Sequence, residues 1–277
     1  MLSVYLNRRW SIGNFLVFAI AANLHHKNKT QNMKTIFQSI SKTFIMIAAS
    51  LMILSCSDDD SSIAPEQTDA SAPFVTKIVA TGSEPVLNRT LSMVYNSKKQ
   101  MSQLIASGTA IKTYVFSYND RGKIVTIAVN DGQTSGNITL TYDSNGRWSS
   151  YKKLDGTVVP ITYDASSEVY TAETSFFSYN SFNDFVAVNG LLITYDNTKN
   201  GAFANVNGDY QFLALVIDPL LLYLGTKKPV TDLSLAPNQD YVITNTFYEN
   251  SMIKNMKISI VEDPTTAFNA DFTYDNK

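Results

Sequence analysis

Histidine and cysteine are nearly absent from this sequence of 277 residues, which contains two His and one Cys. His25 and His26 lie close to the N-terminus, and the single cysteine is Cys56. One cysteine excludes an intramolecular disulfide and a cysteine-cluster zinc site. After Cys56, a Ser-His-Asp triad, a Cys-His pair and a histidine-bound metal are also excluded. We therefore expect no metal ion and no dissociable cofactor, and no enzyme that depends on these groups.

Basic residues are scarce in the larger part of the chain. Six of the 22 Lys and Arg residues precede Cys56, whereas all 24 Asp and Glu residues follow it, so the part after Cys56 has a net charge of −8. This acidic balance argues against nucleic acid as a partner, which requires a basic surface. It also argues against electrostatic docking on anionic lipid.

The N-terminal region contains a secretion signal. Lys34 and Lys42 precede an apolar stretch, Thr43–Leu54, which is too short for the roughly 20 residues of a transmembrane helix but typical of a signal peptide. The sequence Ile53-Leu54-Ser55-Cys56 that follows resembles the bacterial lipobox. The resemblance implies a diacylglycerol on the sulfur of Cys56, cleavage before it and acylation of the new amino terminus. Several acyl chains give a stable membrane anchor.

Composition divides the chain into four parts. Residues 1–32 contain a second apolar stretch flanked by charges, which a signal peptide does not normally have, so we expect translation to begin at Met33. After the cysteine, small polar and acidic residues with Pro predict a flexible segment. The predicted parts are a wrongly assigned N-terminal extension (1–32), a lipoprotein signal peptide (33–55), an acidic flexible tether (56–72) and a β-rich domain (73–277).

The acidic run Asp58–Asp60 resembles a signal that some Gram-negative bacteria use to export lipoproteins to the outer face of the outer membrane. The resemblance implies an outer-membrane protein that faces the cell exterior. The alternative is the periplasmic leaflet, in which case the run is a solvated part of the tether.

A short motif recurs through the predicted domain: an apolar residue, Ser or Thr, Tyr, then Asp or Asn. The clear copies place Tyr at positions 118, 142, 163, 179, 195 and 274, and looser copies place it at 95 and 248. Side chains two apart in a strand share a face, so each Tyr lies beside the apolar residue two positions before it. The Asp or Asn that follows predicts a turn, because its side chain can accept a hydrogen bond from the backbone two residues later. The spacing therefore predicts one strand-turn-strand unit per copy.

These copies resemble the YD repeats of RHS-like proteins, and the chain resembles uncharacterised β-rich surface lipoproteins that carry the same units. The resemblance implies no catalytic residues. The pattern breaks at residues 209–225, where Asp218-Pro219 and Gly225 are typical of the start and end of a short helix. The sequence predicts an all-β antiparallel meander of a dozen strands or more with one short helical insert near 209–225.

Two function classes follow from these features. The first is a non-enzymatic surface lipoprotein that binds a glycan or a protein partner, or serves as an envelope component. Trp148, just after the Gly146 turn, and Tyr142 are candidate glycan contacts. The alternatives are that Trp148 is partly buried in the core, as a lone Trp more often is, and that the repeated tyrosines form a structural ladder. The alternative is a carboxylate-based polysaccharide hydrolase, which would need two carboxylates in one cleft.

Overall fold

The computed structural model describes residues 72–83, 85–235, 239–260 and 268–275. The predicted extension, the signal peptide and Cys56 lie outside the described residues, as does the tether except for its last residue. The strands are β1 Phe74–Gly82, β2 Arg89–Tyr95, β3 Met101–Ser107, β4 Ile111–Tyr118, β5 Ile124–Asn130, β6 Ser135–Tyr142, β7 Trp148–Lys152, β8 Val158–Asp164, β9 Val169–Ala172, β10 Ser175–Tyr179, β11 Phe185–Val188, β12 Leu191–Tyr195, β13 Val230–Leu235, β14 Gln239–Phe247, β15 Ile253–Ile260 and β16 Phe268–Asp275. The helices are α1 Leu213–Val216 and α2 Leu221–Leu224, and a single 3-10 turn covers Pro85–Leu87.

The strands form an antiparallel meander in which each strand pairs with the next along the chain. Pairing of β1 with β16 closes the meander into a barrel, with Phe74 opposite Asp275 and Gly82 opposite Phe268. The all-β prediction is confirmed. Because the ring closes on itself, each strand has two neighbours, and this part of the chain forms its own core.

The repeat motif builds the hairpin turns at one end of the barrel, which we call the turn rim. In the repeat at β4–β5, the side-chain oxygen of Asn119 accepts hydrogen bonds from the backbone N–H of Arg121 and of Lys123, both at 3.0 Å. Asn96, Asp143 and Asn180 accept the equivalent pair of bonds in their own turns. The predicted role of the Asp or Asn is confirmed.

A register shift accompanies the turn in most repeats and fixes which residues point inward. Between Ser117 and Tyr118 the pairing of β4 with β5 slips by one residue, so that Tyr118 lies opposite Ile124. As a result Ile124 is buried with Ile127, whereas Val125, which strict alternation would place on the face of Ile127, is only half-buried. The bulge shifts the alternation that the sequence predicts.

The repeat tyrosines point inward and connect neighbouring repeats. The hydroxyl of Tyr142 donates a hydrogen bond to the carbonyl oxygen of Ile124 at 2.7 Å, and the hydroxyl of Tyr118 donates one to the carbonyl oxygen of Met101 at 2.5 Å. Tyr95, Tyr195, Tyr248 and Tyr274 make corresponding bonds to carbonyl oxygens of other strands. Each of these hydroxyls therefore has an acceptor, as a structural ladder requires, and the rings are half-buried except that of Tyr248, which is 40% exposed.

The segment 196–229, which we call the insert, fills the interior of the barrel. It enters at the turn rim, where Asn207 bonds to the backbone of Lys98 and Lys99. It reaches toward the opposite rim, where Asp218 pairs with Arg89, the first residue of β2, at 2.5 Å. The two short helices confirm the helical insert predicted from residues 209–225.

The two faces of the barrel wall differ in polarity. In β4, Tyr114 and Phe116 point inward and are buried, whereas Thr113 and Ser117 alternate with them on the outer side. The inner side chains pack against the apolar residues of the insert, such as Phe212 and Leu213, which are at most 1% exposed. Within the residues that the structure describes, no helix is long and apolar enough to cross a bilayer.

Candidate functional site

Trp148 is buried in the barrel, as the core alternative predicts for it, and is not an exposed contact. It is 6% exposed, and its ring stacks on Phe212 of the insert with centroids 4.3 Å apart and planes 19° apart. The ring of Tyr142 lies 4.6 Å away on the other side. Register is the physical reason: Trp148 pairs directly with Tyr142, so both side chains project to the same, inner face.

Tyr142 is half-buried, and its hydroxyl is engaged with Ile124. Burial of the phenol raises its pKa well above the usual range. The structure brings the two candidate residues together, but against the insert and not on the outer surface. A glycan-binding role for Tyr142 and Trp148 stays a prediction, and it would require the interior of the barrel to open.

The inward position of Trp148 has a signal in the sequence that the motif analysis missed. In four repeats, the residue six positions after the tyrosine is apolar and pairs with that tyrosine. The pairs are Tyr95 with Met101, Tyr118 with Ile124, Tyr142 with Trp148 and Tyr179 with Phe185. A rule of Tyr followed by an apolar residue at the sixth position would have assigned Trp148 to the core.

Asp184 and Asp209 line a common cavity at the turn rim, beside Tyr210, Gln211 and Lys227. The cavity has a volume of about 10 Å³, which is room for about one water molecule. Asp209 faces the rim, where its carboxylate pairs with the Lys123 amine at 2.6 Å and accepts a bond from the Asn183 amide at 2.8 Å. Two carboxylates therefore line one cavity, as a carboxylate-based hydrolase would require, but the cavity is too small for a sugar ring.

Asp184 holds the end of the insert against the wall. It is fully buried, and its two carboxylate oxygens accept hydrogen bonds from the backbone N–H of Lys227 at 2.8 Å and of Lys228 at 2.9 Å. Burial raises its pKa to about 6, against the opposing effect of the two backbone bonds. Because both oxygens are occupied by backbone donors, the carboxyl group acts as a structural clasp.

Two segments combine oxygen-bearing side chains with a nearby glycine, Asp143–Gly146 and Asn205–Asp209, and the contacts of both are structural. Asp143 accepts backbone bonds within its turn and pairs with Arg147 at 2.9 Å, which holds the pKa of its carboxyl below the usual range. In the second segment, Asn205 bonds to the Pro73 carbonyl and Asn207 to the Lys98 carbonyl. Among the described residues, no group of three or more His, Cys, Asp or Glu side chains is placed to hold a metal ion.

On the outer side of β2–β6, none of the outward residues that pair with a neighbouring strand is charged, and we call this surface the uncharged face. Pairing registers place these outward residues in continuous rows, for example Val115, Ala128 and Asn137 across β4, β5 and β6. The outward positions are Thr90, Ser92, Val94, Gln103, Ile105, Ser107, Ile111, Thr113, Val115, Ser117, Thr126, Ala128, Asn130, Ser135, Asn137, Thr139 and Thr141. A shallow groove of about 440 Å³ crosses the face over Ala128, lined by neutral residues that include Thr113, Asn130 and Asn137.

Comparison with known proteins gives similarity only among solved structures. No family model and no curated protein matches this sequence. The chain is similar to a porin-like protein from Bacteroides uniformis, at 11% identity and a TM-score of 0.40, covering 75% of this chain and 99% of that one. It is also similar to a porin-like protein from Bacteroides vulgatus, at 12% identity and a TM-score of 0.36, covering 74% of this chain and all of that one.

Proposed function

We propose that this protein is a non-enzymatic lipoprotein of the outer membrane, held by a lipid on Cys56 and displaying a closed β-barrel in water at the cell surface. Its barrel binds a glycan or an envelope protein. The observation that carries the proposal is the polarity of the barrel wall, together with the lipobox-like sequence before Cys56.

Barrels that span membranes have an apolar outer band and a polar interior. Here the arrangement is reversed: Phe116 and Leu140 point into the core, whereas Ser117, Thr139 and Thr141 point outward. The insert occupies the interior, so the barrel is packed like a globular core. This arrangement supports a body that contacts water on its outside and reaches the membrane through its lipid alone.

The chain ends support one orientation. Phe74 at the start of β1 and Asp275 at the end of β16 pair at the turn rim, so the tether joins the barrel there. A segment of 16 residues, from 57 to 72, can span at most about 55 Å. This connection favours an orientation with the turn rim toward the membrane and with the opposite rim and the outer wall available to partners.

A hydrolase receives less support from the site. Its best carboxylate pair, Asp184 and Asp209, lines a cavity of about 10 Å³, whereas small-molecule sites usually have about 300 Å³ or more. Both oxygens of Asp184 accept backbone bonds, which leaves the group poorly placed to deliver a proton to a substrate. We therefore propose a binding role.

Labelling with radioactive palmitate tests the anchor. We expect the label to enter the wild-type protein and to be absent from Cys56→Ala, with Ser57→Ala as the matched control that retains it. Protease treatment of intact cells tests the leaflet: a barrel at the cell exterior is accessible without permeabilisation. Absence of label from the wild type would contradict the anchor, and accessibility only after permeabilisation would assign the periplasmic leaflet.

A further inference from the structure

The uncharged face is unusual for the outside of this protein. About 25% of the residues of a typical soluble protein are charged. The adjoining outer rows do carry charge: Lys77 lies opposite Ser92 at one border, and Lys152 lies opposite Thr139 at the other. The five strands between these borders have Ser, Thr, Asn and Gln side chains mixed with Ala, Val and Ile. Apolar contacts combined with a few polar groups are typical of small-molecule sites.

We propose that the uncharged face binds a neutral oligosaccharide in the groove over Ala128. The inference rests on the proposed function as a binding protein and assigns its site and ligand class. The groove has a small residue, Ala128, at its centre, between the outward side chains of Val115 and Asn137. The groove has a volume of about 440 Å³ and is open to solvent along its outer side.

The chemistry of the lining matches a polyhydroxyl ligand without charge. The side chains of Thr113 and Asn137 offer hydroxyl and amide groups that both donate and accept hydrogen bonds, as sugar hydroxyls require. Val115 is 45% exposed and offers an apolar contact for the C–H side of a sugar ring. A carboxylated or sulfated polymer would find no cation in the groove to pair with.

The size of the face argues against a stable protein partner. Five strands about 4.8 Å apart, with outward residues over about 20 Å of strand, present about 500 Å². A stable protein interface buries about 800 Å² on each side. A chain of a few sugar units needs less area.

The experiment uses the chain from Ser57 onward, which contains the complete barrel and the insert. It measures binding to soluble neutral polysaccharides (glucan, mannan, xylan and galactan), and polygalacturonate is the acidic comparison. We expect at least one neutral polymer to bind, with an affinity that changes less than twofold between 0.05 and 0.5 M salt, because no charge is screened. Ala128→Tyr fills the groove and should weaken binding at least tenfold. Asn137→Ala should weaken it about fivefold, the value of one hydrogen bond of about 1 kcal/mol.

Thr162→Tyr is the matched control, since it adds the same ring at an exposed outward position of β8, outside the uncharged face. It should bind as the wild type does, and circular dichroism should show that all variants keep the fold. Wild-type affinity in Ala128→Tyr would overturn the site while leaving a glycan-binding protein. Binding of the acidic polymer alone, or of no polymer, would overturn the ligand class, whereas palmitate labelling and surface exposure test the anchored display separately.

Discussion

Replacement of Trp148 by Ala tests whether this residue belongs to the core. Its ring is 94% removed from solvent by Phe212 and Tyr142, which corresponds to about 200 Å² of buried area. At about 25 cal/mol per Å² this area is equivalent to about 5 kcal/mol, and truncation of a buried Trp usually costs 3–5 kcal/mol. We expect Trp148→Ala to lower the free energy of unfolding by about 4 kcal/mol. With a urea dependence of about 2.5 kcal/mol/M, the unfolding midpoint shifts by about 1.6 M.

Trp148→Phe is the control, because it keeps a ring against Phe212 and should cost less than half as much. In the chain from Ser57 onward Trp148 is the sole tryptophan, so its fluorescence also reports its surroundings. Wild-type emission should be blue-shifted and protected from iodide quenching. A loss below 1 kcal/mol in Trp148→Ala, or emission typical of a water-exposed indole, would refute the core assignment. Loss of glycan binding in a fully folded Trp148→Ala protein would restore the exposed-contact interpretation.

Two further predictions concern polar side chains at the turn rim. Burial raises the pKa of Asp184 to about 6 in the folded state, so its contribution to stability is complete below about pH 3 and is lost as the pH rises through 6. The wild type should therefore lose about 3 kcal/mol of unfolding free energy relative to Asp184→Asn between pH 3 and pH 7 in urea titrations, at 1.36 kcal/mol per pKa unit, and a constant difference would contradict the burial argument. Asn119→Ala removes the acceptor for two backbone N–H groups and should lower the free energy of unfolding by about 1–2 kcal/mol, measured by thermal unfolding. The control is Asp120→Ala, at the exposed neighbouring position, which should lower it by less than about 0.5 kcal/mol. Equal losses of stability in the two variants would show that the turn does not depend on Asn119.

The local features of the fold could be predicted from the sequence. The apolar-Ser/Thr-Tyr-Asp/Asn motif indicates strand, inward tyrosine and turn, and each depends on residues within a few positions of one another. Gly122 and Gly146 take positive φ angles of 73° and 75° in these turns, as expected from their spacing after Tyr. The insert was also recognisable, because Asp218-Pro219 and Gly225 interrupt the repeat.

Closure of the barrel and the place of the candidate sites could not be predicted in the same way. The pairing of Phe74 with Asp275 joins residues 201 positions apart, and neither end has a local signal for it. The bulge at Tyr142 determines that Trp148 points inward, and bulges leave little trace in composition. Asp184 accepts hydrogen bonds from the backbone N–H groups of Lys227 and Lys228. Because the side chains at these two positions take no part in the contact, the sequence carries no signal for it.

The match between the ring and the insert limits how this protein can vary in repeat number. Duplicating one unit would add two strands and lengthen the circumference by about 10 Å, since neighbouring strands lie about 4.8 Å apart. Phe212 touches Trp148 and Tyr151 on β7 and also Phe177 on β10, so it could not keep all of these contacts in a wider ring. A gain or loss of repeats in a descendant of this gene would therefore require a compensating change in the length or bulk of the segment 196–229.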